Sequence, residues 1–173
     1  ALAAGRKLVS FAAEAVTSFA GAEASADRLA VALQLRGMQD AAPALDELAS
    51  RLQAVAGYSD DLVKQLEAEL LAQGKNRQEI EKTITAAAGL SAVTGDDLAV
   101  SVQKLAATYG GQARELGRLI PELQDLTEEQ YKSGAAVDII LQKYTGFIGK
   151  TGETAIGLAR AKESVGDLME ALG

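Results

Sequence analysis

The chain contains no cysteine, no histidine and no tryptophan, and only two of its 173 residues are proline. Without cysteine and histidine, a disulfide framework, a thiolate nucleophile, an imidazole base and the usual zinc sites are all excluded. The serine hydrolase triad is excluded for the same reason. We therefore expect a protein that is not an enzyme, and we predict no catalytic, cofactor-binding or metal-ligating residue.

Positive charge is also scarce, because 17 lysines and arginines face 24 acidic residues and give a net charge of −7. Binding to a phosphate backbone depends on clustered lysine and arginine, so we expect no nucleic-acid binding. The apolar stretches are shorter than the roughly 18 residues needed to cross a bilayer, so no membrane span is expected. The first residue is alanine and no secretory leader precedes the fold, which predicts an excerpt from a longer protein.

The apolar residues that are present are mainly small or aliphatic. The chain has 34 alanines and 23 leucines, whereas aromatic residues make up 4%. Alanine and leucine are the strongest helix formers, and a core with few aromatic rings requires helices that approach closely. No segment alternates apolar and polar residues with the period of a strand. The predicted fold is therefore all-α, a bundle of about eight helices joined by short glycine turns.

Apolar residues with heptad spacing mark both ends of the chain and divide it into three parts. We predict an alanine-rich, coiled-coil-like helix at 1–40, a helical bundle with glycine turns at 41–145, and a glycine hinge followed by a terminal heptad helix at 146–173. Two explanations stay open for these seams, namely packing within one chain and assembly with copies or a partner. The seam of the first helix consists of Leu8, Ala12, Ala15, Phe19, Ala22, Ala26, Leu29 and Leu33.

Capping residues predict where the inner helices begin and end. Glycine at 37, 57, 74 and 95 is expected to end four of them, since glycine adopts the left-handed conformation of a helix C-cap. The expected N-caps are Asp40, Ser59, Asn76 and the Asp96-Asp97 pair. The segment Thr127–Gln130 is a capping box, which predicts one helix continuing through Tyr144. The second helix is expected to turn Leu45, Leu48, Leu52 and Val55 inward.

One segment resembles a phosphate-binding loop, because Gly146–Thr151 ends in Gly-Lys-Thr. Its two glycines are separated by two residues instead of four, and Tyr144 occupies the position of the missing glycine. A P-loop also follows a buried strand, whereas residues 135–145 have a helical pattern. We interpret the segment as a hinge before a capped helix, with Lys150 as the residue to test if any turnover were found.

Two other groups of residues suggest chemistry but have simpler explanations. Adjacent carboxylates at Asp60-Asp61, Asp96-Asp97 and Glu128-Glu129 stand at predicted helix starts, where the helix dipole favours negative charge. Neighbours on a helix point about 100° apart, so no pair forms a shared acid-base or calcium site. The four tyrosines lie near predicted helix ends, with buried rings and solvated hydroxyls expected. They are Tyr58, Tyr109, Tyr131 and Tyr144.

The order of several phrases resembles the conserved helical domain of tail tape measure proteins from long-tailed bacteriophages and prophages. The segments Leu52–Asp61 and Ala92–Leu98 resemble that family's glycine stops and acidic restarts, and Tyr109–Leu123 resembles its break and short leucine-arginine helix. The closing helices are similar at Leu126–Gln130, at Gly134–Asp138 and at Arg160–Gly173. One departure is Gly110-Gly111-Gln112, where relatives often have asparagine followed by a second glycine.

The resemblance implies a structural role and no catalytic residues in this domain. Tape measure proteins are long helical chains, often in multiple copies, that occupy the tail tube lumen, set tail length during assembly and leave when DNA is ejected. The implied location is the virion tail, after assembly in the host cytoplasm, and the implied partners are tail tube and tail tip proteins together with copies of the chain. The alternative expectation is a soluble helical adaptor or coiled-coil scaffold unrelated to virions.

Overall fold

A computed structural model describes residues 24–150, which form eight α-helices and no strand. The all-α fold class is therefore confirmed. The helices are α1 (24–35), α2 (Ala42–Ala56), α3 (Asp60–Ala72), α4 (Arg77–Thr94), α5 (Leu98–Thr108), α6 (Leu116–Leu119), α7 (Glu128–Lys132) and α8 (Ala135–Tyr144). Short 3₁₀ turns occupy Gln39–Ala41, Pro121–Asp125 and Thr145–Phe147.

Most of the predicted helix boundaries are confirmed in atomic detail. Gly57 and Gly95 are left-handed C-caps, with φ of 73° and 79°. The Ser59 hydroxyl accepts a hydrogen bond from the Leu62 amide at 3.3 Å. At the start of α4, Asn76 forms a complete capping box with Glu79. Each boundary satisfies amides or carbonyls that a helix end leaves without a partner.

The central element is α4, which packs most extensively against α8 and α5 and also contacts α2 and α3. Its second half, Ala86–Val93, is buried throughout. Because most of these side chains are small, the neighbouring backbones approach α4 closely from several sides. The bundle is thus built around a helix with little room between it and its neighbours.

Two leucines of the first-helix seam pack within the chain. Leu29 and Leu33 of α1 are buried in the same core as α2 to α8. The helix ends at Gly37, whose φ of 64° matches the predicted cap. On another face of α1, Val31 is 55% exposed and Leu35 is 82% exposed. The seam residues before 24, and the terminal heptad helix predicted after 152, lie outside the described residues.

The structure corrects the prediction for the start and end of α2. Asp40 does not cap this helix, because it lies inside the Gln39–Ala41 turn, which leads directly into α2 with Ala41 at the N-cap and no side-chain cap. Val55 was expected to face inward, but it is 56% exposed. The buried residues of α2 are Leu45, Leu48, Ala49 and Leu52.

The predicted seventh helix is in fact two helices. Its capping box at Thr127 and Gln130 is present, but α7 ends after one turn and Gly134 adopts φ of 91°. A Cβ at position 134 would lie 3.3 Å from the ring of Tyr109. The chain therefore turns at the glycine beside this ring, and α8 begins as a separate helix.

Candidate functional site

Up to Lys150, the glycine-lysine-threonine segment is a turn and not the strand-linked loop that holds a phosphate. It follows α8 and not a strand, and its first residues form the Thr145–Phe147 turn with Phe147 buried. Gly149 has φ of 82°, and a Cβ there would lie 2.3 Å from the Val55 carbonyl oxygen. This part of the segment is a turn packed on the end of α2, while Thr151 lies outside the described residues.

The carboxylate pairs stand at helix starts, and one member of each pair binds a lysine. Asp60 lies 2.9 Å from the ammonium of Lys64, and Asp96 lies 2.7 Å from that of Lys104. Glu128 pairs with Lys132 one turn later, and this ion pair lowers the pKa of the Glu128 carboxyl. These contacts are ordinary helix-surface ion pairs, each with a small effect on stability. They give the carboxylates a structural role at the helix starts.

The expectation of solvated tyrosine hydroxyls is wrong for three of the four tyrosines. The Tyr58 hydroxyl donates to Ser91 Oγ at 3.2 Å, and the Tyr131 hydroxyl donates to the Leu123 carbonyl. The Tyr109 hydroxyl lies 3.2 Å from the Thr83 hydroxyl, and the ammonium of Lys75 lies 3.6 Å from the centre of the Tyr109 ring. The partners of the Tyr58 and Tyr109 hydroxyls lie on α4, 33 and 26 positions away in sequence, which local position along a helix does not reveal. The Tyr131 hydroxyl joins α7 to the Pro121–Asp125 turn, eight positions earlier in the chain.

A shallow groove of about 290 Å³ lies between α5 and the turn that precedes α6. Two charged side chains of its rim, Lys104 and Glu115, are paired with each other, and Lys104 also contacts Asp96. Arg114, also on the rim, has an unusual positive φ of 48°. The lining residues are Val100, Gln103, Lys104, Ala107, Ala113, Arg114, Glu115 and Leu116. The lining therefore combines apolar surface with paired charge.

The unusual titratable group of the structure is Glu67, which sequence reasoning missed. It lies on the inner face of α3 and is fully buried, and burial raises the pKa of its carboxyl to about 8. The leucines Leu62, Leu66 and Leu70 alone indicate an inner face with one residue per turn. A wider apolar stripe that includes Val63 and Leu71 places position 67 at its centre, and this is the signal that could have found it.

Within residues 24–150, no group of three or more acidic side chains is arranged to hold a metal ion. In the same region, no helix is long and apolar enough to cross a membrane. Comparison with models of protein families, with curated proteins and with solved structures found no match to this chain.

Proposed function

We propose that this chain is a structural segment of a phage tail tape measure protein. It would occupy the tail tube lumen, contribute to tail length during assembly and leave at DNA ejection. The observation that carries the proposal is the order of the resembling phrases from Leu52 to Asp138. Two of these phrases contain the caps at Gly57 and Gly95, so the similarity lies in residues that define the helix boundaries.

Three physical features support this role. A helix gives a defined length of about 1.5 Å per residue, which suits a molecule that measures distance. A surface with few aromatic residues offers few of the anchors that make interfaces tight, and this suits release from a tube wall. The net charge of −7 also repels DNA that passes later. The proposal assigns no catalytic residue and no cofactor to the chain.

Shortening the chain should shorten the tail. In the phage that encodes it, an in-frame deletion of residues 41–145 removes about 105 residues, or about 160 Å of straight helix at 1.5 Å per residue. We expect tails shorter by about that length in electron micrographs. A matched control is the full-length variant Gly89→Ala, which disturbs packing but keeps the number of residues and should leave tail length unchanged. Tails of normal length in the deletion phage would refute the measuring role.

The alternative function is that of a helical adaptor or scaffold. The helical fold of this chain, with its paired surface charges, would serve an adaptor equally well. The two functions differ in where the protein is found. A tape measure segment is part of purified, DNA-filled particles, whereas an adaptor stays in the lysate, so an antibody against residues 41–145 separates them.

We also propose that the chain associates with copies of itself through the exposed face of α1. Leu29 and Leu33 are buried within the chain, so the available apolar contacts on this helix are Val31 and Leu35. Sedimentation at high micromolar concentration should show oligomers of the 173-residue chain, and Leu35→Asp should make it monomeric. Leu119→Asp, at another exposed leucine, is the control and should leave the oligomer intact. A monomeric wild type, or equal effects of both variants, would contradict this interface.

A further inference from the structure

Glu67 is a carboxyl group enclosed by the packing of helices. Its side chain is 0% exposed, and neither carboxyl oxygen has a hydrogen-bond partner among the described residues. Val63, Leu70 and Leu71, one turn before and after it on α3, are also buried. The face of α3 that carries them packs on α2 and α4. An ionised carboxylate in such a place loses its hydration without receiving hydrogen bonds in return.

The surrounding charges do not neutralise this carboxyl. From α2 and α4 the groups that act on it are Asp46 and Glu81, both negative. On α3 itself Asp60 adds negative charge, and the nearby cation Lys64 is held by Asp60 at 2.9 Å and Asp46 at 3.4 Å.

The other helices in contact with α3 supply no free cation either. The charged side chain of α5 is Lys104, which pairs with Asp96 and Glu115. Arg36, which follows α1, donates to the Ala72 carbonyl at the end of α3. Arg28 of α1 lines a cleft with Gln65, Ala68, Glu69 and Ala72 of α3. Gln65, Glu69 and Ala72 lie on the opposite side of α3 from Glu67, given 3.6 residues per turn.

We propose that Glu67 is a proton-dependent latch: only with its carboxyl protonated does α3 stay packed against α2 and α4. The neutral carboxyl lets the three helices pack, and loss of its proton loosens α3 so that water reaches the carboxylate. This inference concerns the conformation of the chain and does not rest on its proposed function in a phage tail.

The direction of the pH effect follows from proton binding in the two states. In the closed state burial raises the pKa of Glu67 to about 8, whereas in an open or unfolded state it has its ordinary value of 4.5. Between these values the closed state holds one more proton than the open state, so closure is strongest below pH 4.5 and is lost as pH rises through 8. Within this window the equilibrium constant for opening increases by up to about tenfold per pH unit.

Replacement of Glu67 by glutamine tests the latch, because the amide has the same shape and cannot ionise. Urea unfolding of the 173-residue chain should be measured between pH 5 and 8. In the wild type, ionisation of Glu67 should increase the equilibrium constant for unfolding by up to about tenfold per pH unit. Glu67→Gln should lack this contribution. The matched control is Glu69→Gln, an exposed position on the same helix, which should keep the wild-type slope.

Two measurements on the wild type keep the test decisive if Glu67→Gln does not fold. The ¹³C resonance of the Glu67 carboxyl should titrate near pH 8, and a midpoint near 4.5 would overturn the proposal. Amide exchange, corrected for intrinsic rates, should lose protection in α3 first as pH rises from 6 to 9. Equal loss in every helix would overturn the latch, because ionisation would then act on the whole fold.

Discussion

Replacing Gly89 with alanine is expected to destabilise the protein by about 2 kcal/mol or more. Inside a helix, a change from glycine to alanine usually stabilises a protein. An alanine Cβ at this position would lie 2.5 Å from the carbonyl oxygen of Tyr144 and 2.7 Å from its carbonyl carbon. Both atoms belong to backbone, so the clash is relieved only by moving α8 away from α4. Overpacking of this kind costs about 1 to 3 kcal/mol and sometimes more.

The higher helix propensity of alanine is too small an effect to make the Gly89→Ala protein more stable than the wild type. Alanine is favoured over glycine inside a helix by about 1 kcal/mol or less. The pair α4 and α8 forms the most extensive helix contact of the described fold, so a shift between them disturbs much of the core. The free energy of unfolding from urea titration, followed by circular dichroism, measures the net change.

Gly146→Ala provides the control for this prediction. No atom lies within 4 Å of a Cβ built at Gly146, and its φ is not in the left-handed region. This variant should unfold within about 0.5 kcal/mol of the wild type. A Gly89→Ala protein as stable as the wild type would show that α4 and α8 separate at little cost and would contradict the close packing of this pair.

The helix boundaries could be predicted from the sequence because their chemistry is local. Ser59 and Asn76 cap helices through bonds to residues three positions away, and Gly57 and Gly95 cap through their own left-handed conformation. Such contacts are contained within a few residues of chain, so a short motif specifies them. The all-α class followed for the same reason, from residue types that favour helix wherever they occur.

Features that depend on contacts between distant residues could not be predicted in the same way. The motif at Thr127 correctly marked a helix start, but the break at Gly134 arises where the turn passes the ring of Tyr109. Gly89 was indistinguishable from other glycines until Tyr144 was placed against it. The sequence pattern treats each helix alone, whereas the turn and the close approach require the position of a second helix.

The same distinction holds for the candidate sites. The Gly-Lys-Thr segment was predicted to be a hinge and not a phosphate loop, because glycine spacing and helical pattern are visible in sequence. The isolation of Glu67 was not visible, since a glutamate on a helix is usually solvated and only the packed helices show that it is buried without a hydrogen-bond partner among the described residues. A buried ionisable group is a property of the assembled bundle.

Gly149→Ala should detach the turn after α8 from α2. At a φ of 82° an alanine is strained by about 1 to 2 kcal/mol, and its Cβ would lie 2.3 Å from the Val55 carbonyl oxygen. The chain can relieve the backbone strain and the clash with Val55 by releasing residues 145–150. This release exposes the buried Phe147 at a cost of about 2 to 3 kcal/mol. This cost sets an upper limit on the destabilisation, because α2 to α8 can remain folded without the turn.

Two measurements distinguish this local release from unfolding of the bundle. Amide exchange in residues 145–150 of Gly149→Ala should become faster by a factor of ten or more, while α4 keeps most of its protection. The sequence pattern predicted a glycine hinge and did not distinguish Gly146 from Gly149, yet Gly146→Ala should leave exchange in the same residues unchanged, since its Cβ meets no atom. If Gly149→Ala instead increased helix content and joined α8 to the following segment, the turn would be a switch, and the fixed packing of Gly149 on Val55 would be disproved.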